Sequence, residues 1–190
     1  MILPIIAYGH TVLRTTCTDI PADFDGLPQL MADMWQTLES SRGVGLAAPQ
    51  VNRPLRLFIV ESQSTFEHLD EDERLTLFPD GGGIRETFIN PVITVASAQT
   101  WEDEEGCLSI PGLWARVKRP WSITIEYLDA TLQRQVRTYT GLTARMVQHE
   151  YDHLDGRLYF DHLPPLQKKL LAGKLEKVRK GHYRAAYPMK

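Results

Sequence analysis

Two histidines set on the apolar face of a helix narrow most sharply what this chain can fold into. Leu142, Met146, His149 and His153 fall on one stripe of a helix predicted from Leu142 to Leu154, so the imidazoles continue the apolar face into the core. Polar ring nitrogens buried there need partners. The helix contains His149-Glu150-Tyr151-Asp152-His153. Positions i and i+4 of a helix lie one above the other, so both rings can reach one ion. Glu150 lies one residue along, beside that face, where it meets a water at the ion rather than the ion itself. Chance gives this pattern in on the order of one chain in a hundred of this size. The blander reading, two core histidines and a surface glutamate, leaves both rings without named partners.

Two histidines make an incomplete site, and the third donor decides the chemistry. In H-E-x-x-H-x-x-G-x-x-H proteases it is a third His; here the match runs to Gly156 and then puts Tyr159 in that place. In thermolysin-like proteases it is a downstream Glu; the one candidate, Glu176, sits alone in a Lys-rich stretch. Upstream, Cys107 stands in Glu105-Gly106-Cys107-Leu108-Ser109-Ile110-Pro111. A thiolate is a strong ligand for Zn²⁺ or Fe²⁺, and this cysteine follows a glycine and a run of acids. The other cysteine, Cys17 between Thr16 and Thr18, reads as a small buried hydrophobe. Arg119 follows the Cys107 motif at a distance that can close a loop onto Glu105, and a buried carboxylate–guanidinium pair would then fix Cys107 in place.

The rest of the chain must build a fold around that helix. At 190 residues with 43% hydrophobic and 24% charged content, one domain, or one domain with appendages, is expected, with a sizeable core. Two cysteines exclude a disulfide-rich scaffold. Ile2 to Tyr8 is a short apolar stretch broken by Pro4, too short to span a membrane; no Lys or Arg precedes it and no small-residue cleavage site follows. The expectation is a cytoplasmic protein that starts at its mature N-terminus.

Leu27, Leu30, Met31, Met34, Trp35 and Leu38 form one face of a first helix, Leu27 to about Ser40, with Asp25 as cap and Pro28 in the first turn. A small, Gly-rich segment, Gly43 to Gln50, follows. Leu55–Val60, Phe88–Val95, Ser122–Leu128 and Gln135–Tyr139 are strand-like. Residues 62–87, acidic and with three successive glycines, read as a solvated insertion. Asp155-Gly156 closes the metal helix, and after Pro164-Pro165 a basic helix runs from Leu166 to about Lys180. The expected fold class is α+β: mixed or antiparallel β-sheets packed around the central metal-binding helix, with a C-terminal helix. Residues 1–165 are expected to form one domain around the metal helix and 166–190 a basic helix and tail. Eight basic residues and one acid make 166–190 +7, leaving −10 for the body of a chain whose net charge is −3.

Three segments together resemble the signatures of the peptide deformylase family, in order and without a mismatch. Gly43-Val44-Gly45-Leu46-Ala47-Ala48-Pro49-Gln50 is similar to G-x-G-L-A-A-x-Q, Glu105–Ser109 to E-G-C-L-S, and Gln148–Gly156 to Q-H-E-x-D-H-L-x-G. Ile2-Leu3-Pro4-Ile5, Leu13-Arg14 and Ile89-Asn90-Pro91 also resemble family positions, and the likeness runs to about Leu166. The resemblance implies removal of the formyl group from N-formylmethionine of nascent polypeptides, with release of formate. Cys107, His149 and His153 would hold one divalent ion and leave a position for water, whose pKa an ion lowers from roughly 15.7 toward about 7. Fe²⁺ is the expected metal from the family, and the donor set also accepts Zn²⁺, Ni²⁺ or Co²⁺. Glu150 would take the water proton and pass it to the leaving amine. The Gln50 amide and the Leu108 backbone N–H would serve the oxyanion.

By the same resemblance Gly45 pairs with the substrate main chain as a strand edge would, and Gly106 is a substrate-binding residue. Val44, Leu142, Arg145, Met146 and His149 surround the methionine slot, with Trp114 at its rim and the Arg145 charge snorkelling outward. Leu166, Leu170, Leu171, Leu175 and Val178 give the last helix an apolar stripe expected to dock on the body, exposing Lys168, Lys169, Lys177, Arg179 and Lys180. Some family members bind the ribosome through such a helix, so weak ribosome binding is expected, and the chain after about Lys169 should be dispensable for turnover. The alternative within enzymes is a zinc metallopeptidase of the H-E-x-x-H type. A closed structural metal site would need a fourth protein ligand, and nucleic-acid binding conflicts with the −10 body.

Overall fold

The computed structural model describes residues 1–190. Its elements in chain order are α1 (Leu27–Ser41), β1 (Gly45–Ala47), β2 (Leu57–Glu61), α2 (Gln63–His68), α3 (Glu71–Leu77), β3 (Arg85–Ala96), β4 (Thr100–Cys107), β5 (Ile110–Pro120), β6 (Ser122–Leu128), β7 (Arg134–Thr140), α4 (Gly141–Leu154) and α5 (Pro165–Arg179). Five strands form one antiparallel sheet in the order β1-β2-β3-β6-β7, and β4 and β5 form a separate antiparallel hairpin. Of the mixed or antiparallel alternatives, the antiparallel one holds.

Strand β2 shows why its sequence reads as an unbroken apolar run. Leu57 and Ile59 point to one side, against Met34 and Leu38 of α1. Phe58 and Val60 point to the other, against Ala144, Val147 and Leu154 of α4. With helices on both faces there is no solvent side to make polar. A third cluster joins the hairpin, through Ile110, Leu113 and Val117, to Tyr159, Phe160, Leu163 and the end of α5. Helix α4 thus lies between the sheet and the hairpin.

Several expectations change. The N-cap of helix α1 is Gly26 and no side chain caps it, so Asp25 does not serve as its cap. Segment 62–87 is not simply solvated: it holds α2 and α3, the latter started by a reciprocal Asp70–Glu73 capping pair. Its ends seat the start of α4. The Ser62 hydroxyl bonds that of Thr143 at 3.0 Å, and Asp80 accepts from the Thr140 N–H at 2.9 Å. Gly141 adopts φ +55, and a Cβ there would collide with the Leu77 carbonyl. The β4–β5 hairpin has no counterpart among the expected strands, because Glu102 to Glu105 are poor strand formers on propensity alone. On α5 only Leu175 and Val178 are buried and Leu171 packs partly buried against the same cluster; Leu166 and Leu170 are 70% and 72% exposed, so the apolar stripe docks from Leu171 onward. The lysines stand exposed as expected.

Candidate active site

The helix and the hairpin meet at the site. Helix α4 presents His149, Glu150 and His153, and the end of β4 delivers Cys107. The potential ligand atoms of Cys107, His149 and His153 lie within 4.8 Å of one another, with Cys107 Sγ 3.4 Å from His153 Nε2. His149 Nδ1 donates to Glu105 at 2.9 Å, which fixes the ring tautomer and leaves Nε2 free as a ligand. Burial, then the adjacent His149, pushes His153 down to about 3, so it is a neutral imidazole. The donor set of one thiol and two imidazoles fits a divalent ion of the Fe²⁺ or Zn²⁺ type. Neither alternative position supplies a third ligand. Tyr159 is buried, stacks on the His149 ring and donates its hydroxyl to the Leu113 carbonyl at 3.1 Å. Glu176 pairs on the surface with Arg179 and Lys180.

Glu105 organises what lies behind the donors. Arg119 grips it through two bonds of 2.6 and 2.9 Å and reaches Asp152 at 2.8 Å, so the expected Glu105–Arg119 pair is present. Asp152 also accepts from His162 at 2.7 Å. Burial works to raise the Glu105 pKa, but the bonds from His149 and Arg119 prevail and hold its carboxyl well below the usual range. Arg145 is the correction here. It does not snorkel outward: it is 2% exposed, and its guanidinium turns in to Glu105 Oε1 at 2.6 Å and to the Val117 carbonyl at 2.9 Å. Two guanidinium groups and an imidazole compete for one carboxylate, so the charge is absorbed inside.

In front of the donors is a cleft of about 540 Å³. One wall is the edge of β1, with Val44 and Gly45; another is Gly106 to Leu108; the third is Leu142, Met146, His149 and Glu150, with Gln50 at the base. His153 lies behind, 1% exposed. Strand β1 is the end strand of the sheet, so its outer edge is unpaired and can take an extended chain. Gly45 is required for a nearer reason than peptide approach: a Cβ there would collide with the Glu150 carboxylate. At Gly106 a Cβ would stand 2.8 Å from the Trp114 ring, which lies across it. Gln50 is 1% exposed; its Oε1 accepts the Ala47 N–H at 2.8 Å, turning its NH₂ toward Ser109 Oγ at 3.2 Å and Cys107 Sγ at 3.5 Å. Burial raises Glu150 to about 7, and its Oε2 has no protein partner. A carboxylate poised there suits proton transfer at neutral pH. Cys17 packs in the α4 cluster, away from the site, its thiol raised to about 11 by burial.

Sequence reasoning missed Asp152, His162 and the tail. Asp152 stands in plain view between the histidines, but nothing in its spacing names Arg119 as its partner. Arg184 to Tyr187 line the cleft, and Lys190 and Pro188 bond to the N-terminal segment. Against expectation, part of the chain after Lys169 therefore borders the site.

An α+β fold that sets an H-E-x-x-H helix and a cysteine at the floor of a cleft, with a glutamate near pKa 7 beside them, defines a metal-dependent hydrolase. The family model described as polypeptide deformylase matches residues 2–169. A peptide deformylase of Cytophaga hutchinsonii is 45% identical, covering 100% of this chain and 97% of its own length; one from Salinibacter ruber is 40% identical, covering 100% and 94%. The crystal structure of peptide deformylase from Thermus thermophilus is similar at TM-score 0.79 and 34% identity, covering 95% of this chain and 99% of that one. Peptide deformylase 1B of Arabidopsis thaliana, in complex with an inhibitor, also gives TM-score 0.79, at 31% identity over 95% and 92%. This chain belongs to the polypeptide deformylase family.

Proposed function

We propose that Cys107, His149 and His153 hold one divalent ion, Fe²⁺ by preference, at the floor of the cleft, and that Glu150, Gln50 and Leu108 do the chemistry around it. The reaction is that of the family: hydrolysis of the N-formyl group of formyl-methionyl peptides, releasing formate and a free amine. When bound, such an ion supplies Lewis acidity to the formyl carbonyl and acidifies water. The chain's residues supply the rest. Glu150 takes a proton from the attacking water, a C–O bond forms at the formyl carbon, the C–N bond breaks, and Glu150 passes the proton to the departing amine. Such a group is worth typically about 10²–10⁴-fold. The Gln50 NH₂ and the Leu108 N–H donate to the carbonyl oxygen as it gains charge, each worth roughly 10²–10³ in rate. The β1 edge at Gly45 binds the peptide main chain, Gly106 lies on the opposite wall, and Val44, Leu142 and Met146 form the apolar methionine slot.

The observation that carries this reading is the convergence of the three donors within 4.8 Å of one another, with Cys107, His149 and Glu150 lining one cleft. A zinc peptidase of the H-E-x-x-H type has no support from Tyr159 or Glu176. The test is a formate-release assay on formyl-Met peptides after anaerobic purification, with metal analysis of the same sample. Stoichiometric metal with no formate release would reject the assignment.

No helix is long and apolar enough to cross a membrane. We place the enzyme in the cytoplasm, where nascent chains emerge, and assign the exposed lysines of α5 to weak, salt-dependent contact with the ribosome's polyanionic surface.

A further inference from the structure

The turn between β4 and β5 is two residues long, Leu108 and Ser109, and it carries one of the donors assigned to the reacting carbonyl. Both turn carbonyls are held from outside the hairpin. The Ser109 carbonyl accepts the Tyr8 N–H at 2.8 Å, and the Leu108 carbonyl accepts the Tyr187 hydroxyl at 2.9 Å. These anchors come from opposite ends of the sequence, and the ends are joined to each other. Ile5 N–H donates to the Pro188 carbonyl at 2.9 Å, Lys190 N–H to the Ile5 carbonyl at 2.9 Å, and Ala7 N–H to the Lys190 carbonyl at 2.8 Å. Between them, Ile6 N–H donates to the Gln50 carbonyl at 2.7 Å. The N-terminal segment is thus a spine, with the tail on one edge and Gln50 and Ser109 on the other. Tyr187 packs on the α1 cluster, and Arg184, Ala185 and Ala186 complete the cleft wall beside it. These tail residues lie beyond the stretch matched by the family model.

We infer that Arg184–Lys190 form a fixed strap that completes the substrate cleft, and that Tyr187 is a positioning residue holding the Leu108–Ser109 turn in register. The inference rests on the deformylase reading given above. Oxyanion donors act only within about 2.7–3.1 Å of the charge they stabilise. The Leu108 N–H is set on one side by Cys107, and on the other by the orientation of the Leu108–Ser109 peptide, which the Tyr187 hydroxyl fixes. Ser109 Oγ in turn meets the Gln50 NH₂, so a looser turn displaces both donors. Burial pushes the Tyr187 phenol up to about 12, so it remains a donor at neutral pH.

The test compares full-length Tyr187→Phe with Tyr183→Phe, whose ring packs in the hairpin–α5 cluster and has no such hydrogen bond. Steady-state kinetics on a formyl-Met peptide are measured beside hydrogen exchange of peptides spanning 105–110. Tyr187→Phe should lower kcat roughly 3- to 10-fold, the worth of one hydrogen bond, with KM within about twofold and metal content unchanged. Exchange should rise in 105–110 and not across α4. Tyr187→Ala, which also removes the ring from the wall, should add a rise in KM. Wild-type kcat and exchange in Tyr187→Phe would overturn the positioning role, and an unchanged KM in Tyr187→Ala would overturn the wall. Absence of formate release by the wild type would instead fault the deformylase reading, while the exchange comparison would still decide the strap.

Discussion

Helices α4 and α5 are nearly equal in length, 14 and 15 residues, and the same kind of periodicity announces both. They end in opposite surroundings. Helix α4 buries Arg145, Gln148, His149, Glu150, Asp152 and His153. Helix α5 buries Leu175 and Val178 and leaves Leu166 and Leu170 in solvent. Desolvating a charge costs several kcal/mol unless a partner arrives with it. The β4–β5 hairpin arrives with Glu105 and Arg119, and the polar face of α4 closes against them. Nothing of comparable area reaches the N-terminal half of α5. Periodicity tells which residues share a face; what covers that face depends on elements far away in sequence.

The sharpest way to break this comparison is at the three proposed metal donors. Cys107→Ser should lose most of its metal and nearly all activity, whereas Cys17→Ser should retain both. Equal metal content in the two variants would remove Cys107 from the site. Next comes the charge network behind the donors. Arg119→Met strands Glu105 and Asp152, and removing one partner of a buried pair costs about 3–5 kcal/mol. Denaturant unfolding should show a loss of that size, with metal affinity about 10- to 100-fold weaker. A loss below about 1 kcal/mol would mean that Arg145 and His149 suffice for Glu105 and His162 for Asp152.

Packing gives a smaller contrast. Leu154→Ala on α4, fully buried, should cost about 2–5 kcal/mol, and Leu170→Ser on α5 less than about 0.5. A large cost at Leu170 would show that its half of the helix is covered in solution. The smallest effect on catalysis is expected from Lys168→Glu with Lys169→Glu and Lys177→Glu. Formate release from short peptides should stay near wild type, while co-sedimentation with ribosomes at low salt should fall sharply. Unchanged co-sedimentation would leave α5 a solubilising element.

Much of the site is legible in the sequence because its signals are local. An i, i+4 pair of histidines needs no knowledge of the fold, and the glycine-preceded Cys107 is found by the deficit those two leave. Strands β2, β3, β6 and β7 are legible because β-branched and aromatic residues fill them. What stays hidden depends on distant partners. The acidic strand β4 is a strand only because β5 pairs with it. Arg145 reads as outward-facing because its helix neighbours say nothing of Glu105, forty residues earlier and 2.6 Å away. Tyr187 carries no motif at all, and its role follows from the joining of the two chain ends.

The central claim, that a base and not a fourth ligand stands beside the three donors, is tested most directly by Glu150→Gln, measuring metal content and formate release on one anaerobically purified sample. The geometry predicts metal content close to wild type with formate release reduced by at least about 10²-fold. Loss of metal together with activity, or activity preserved at full metal content, would contradict it.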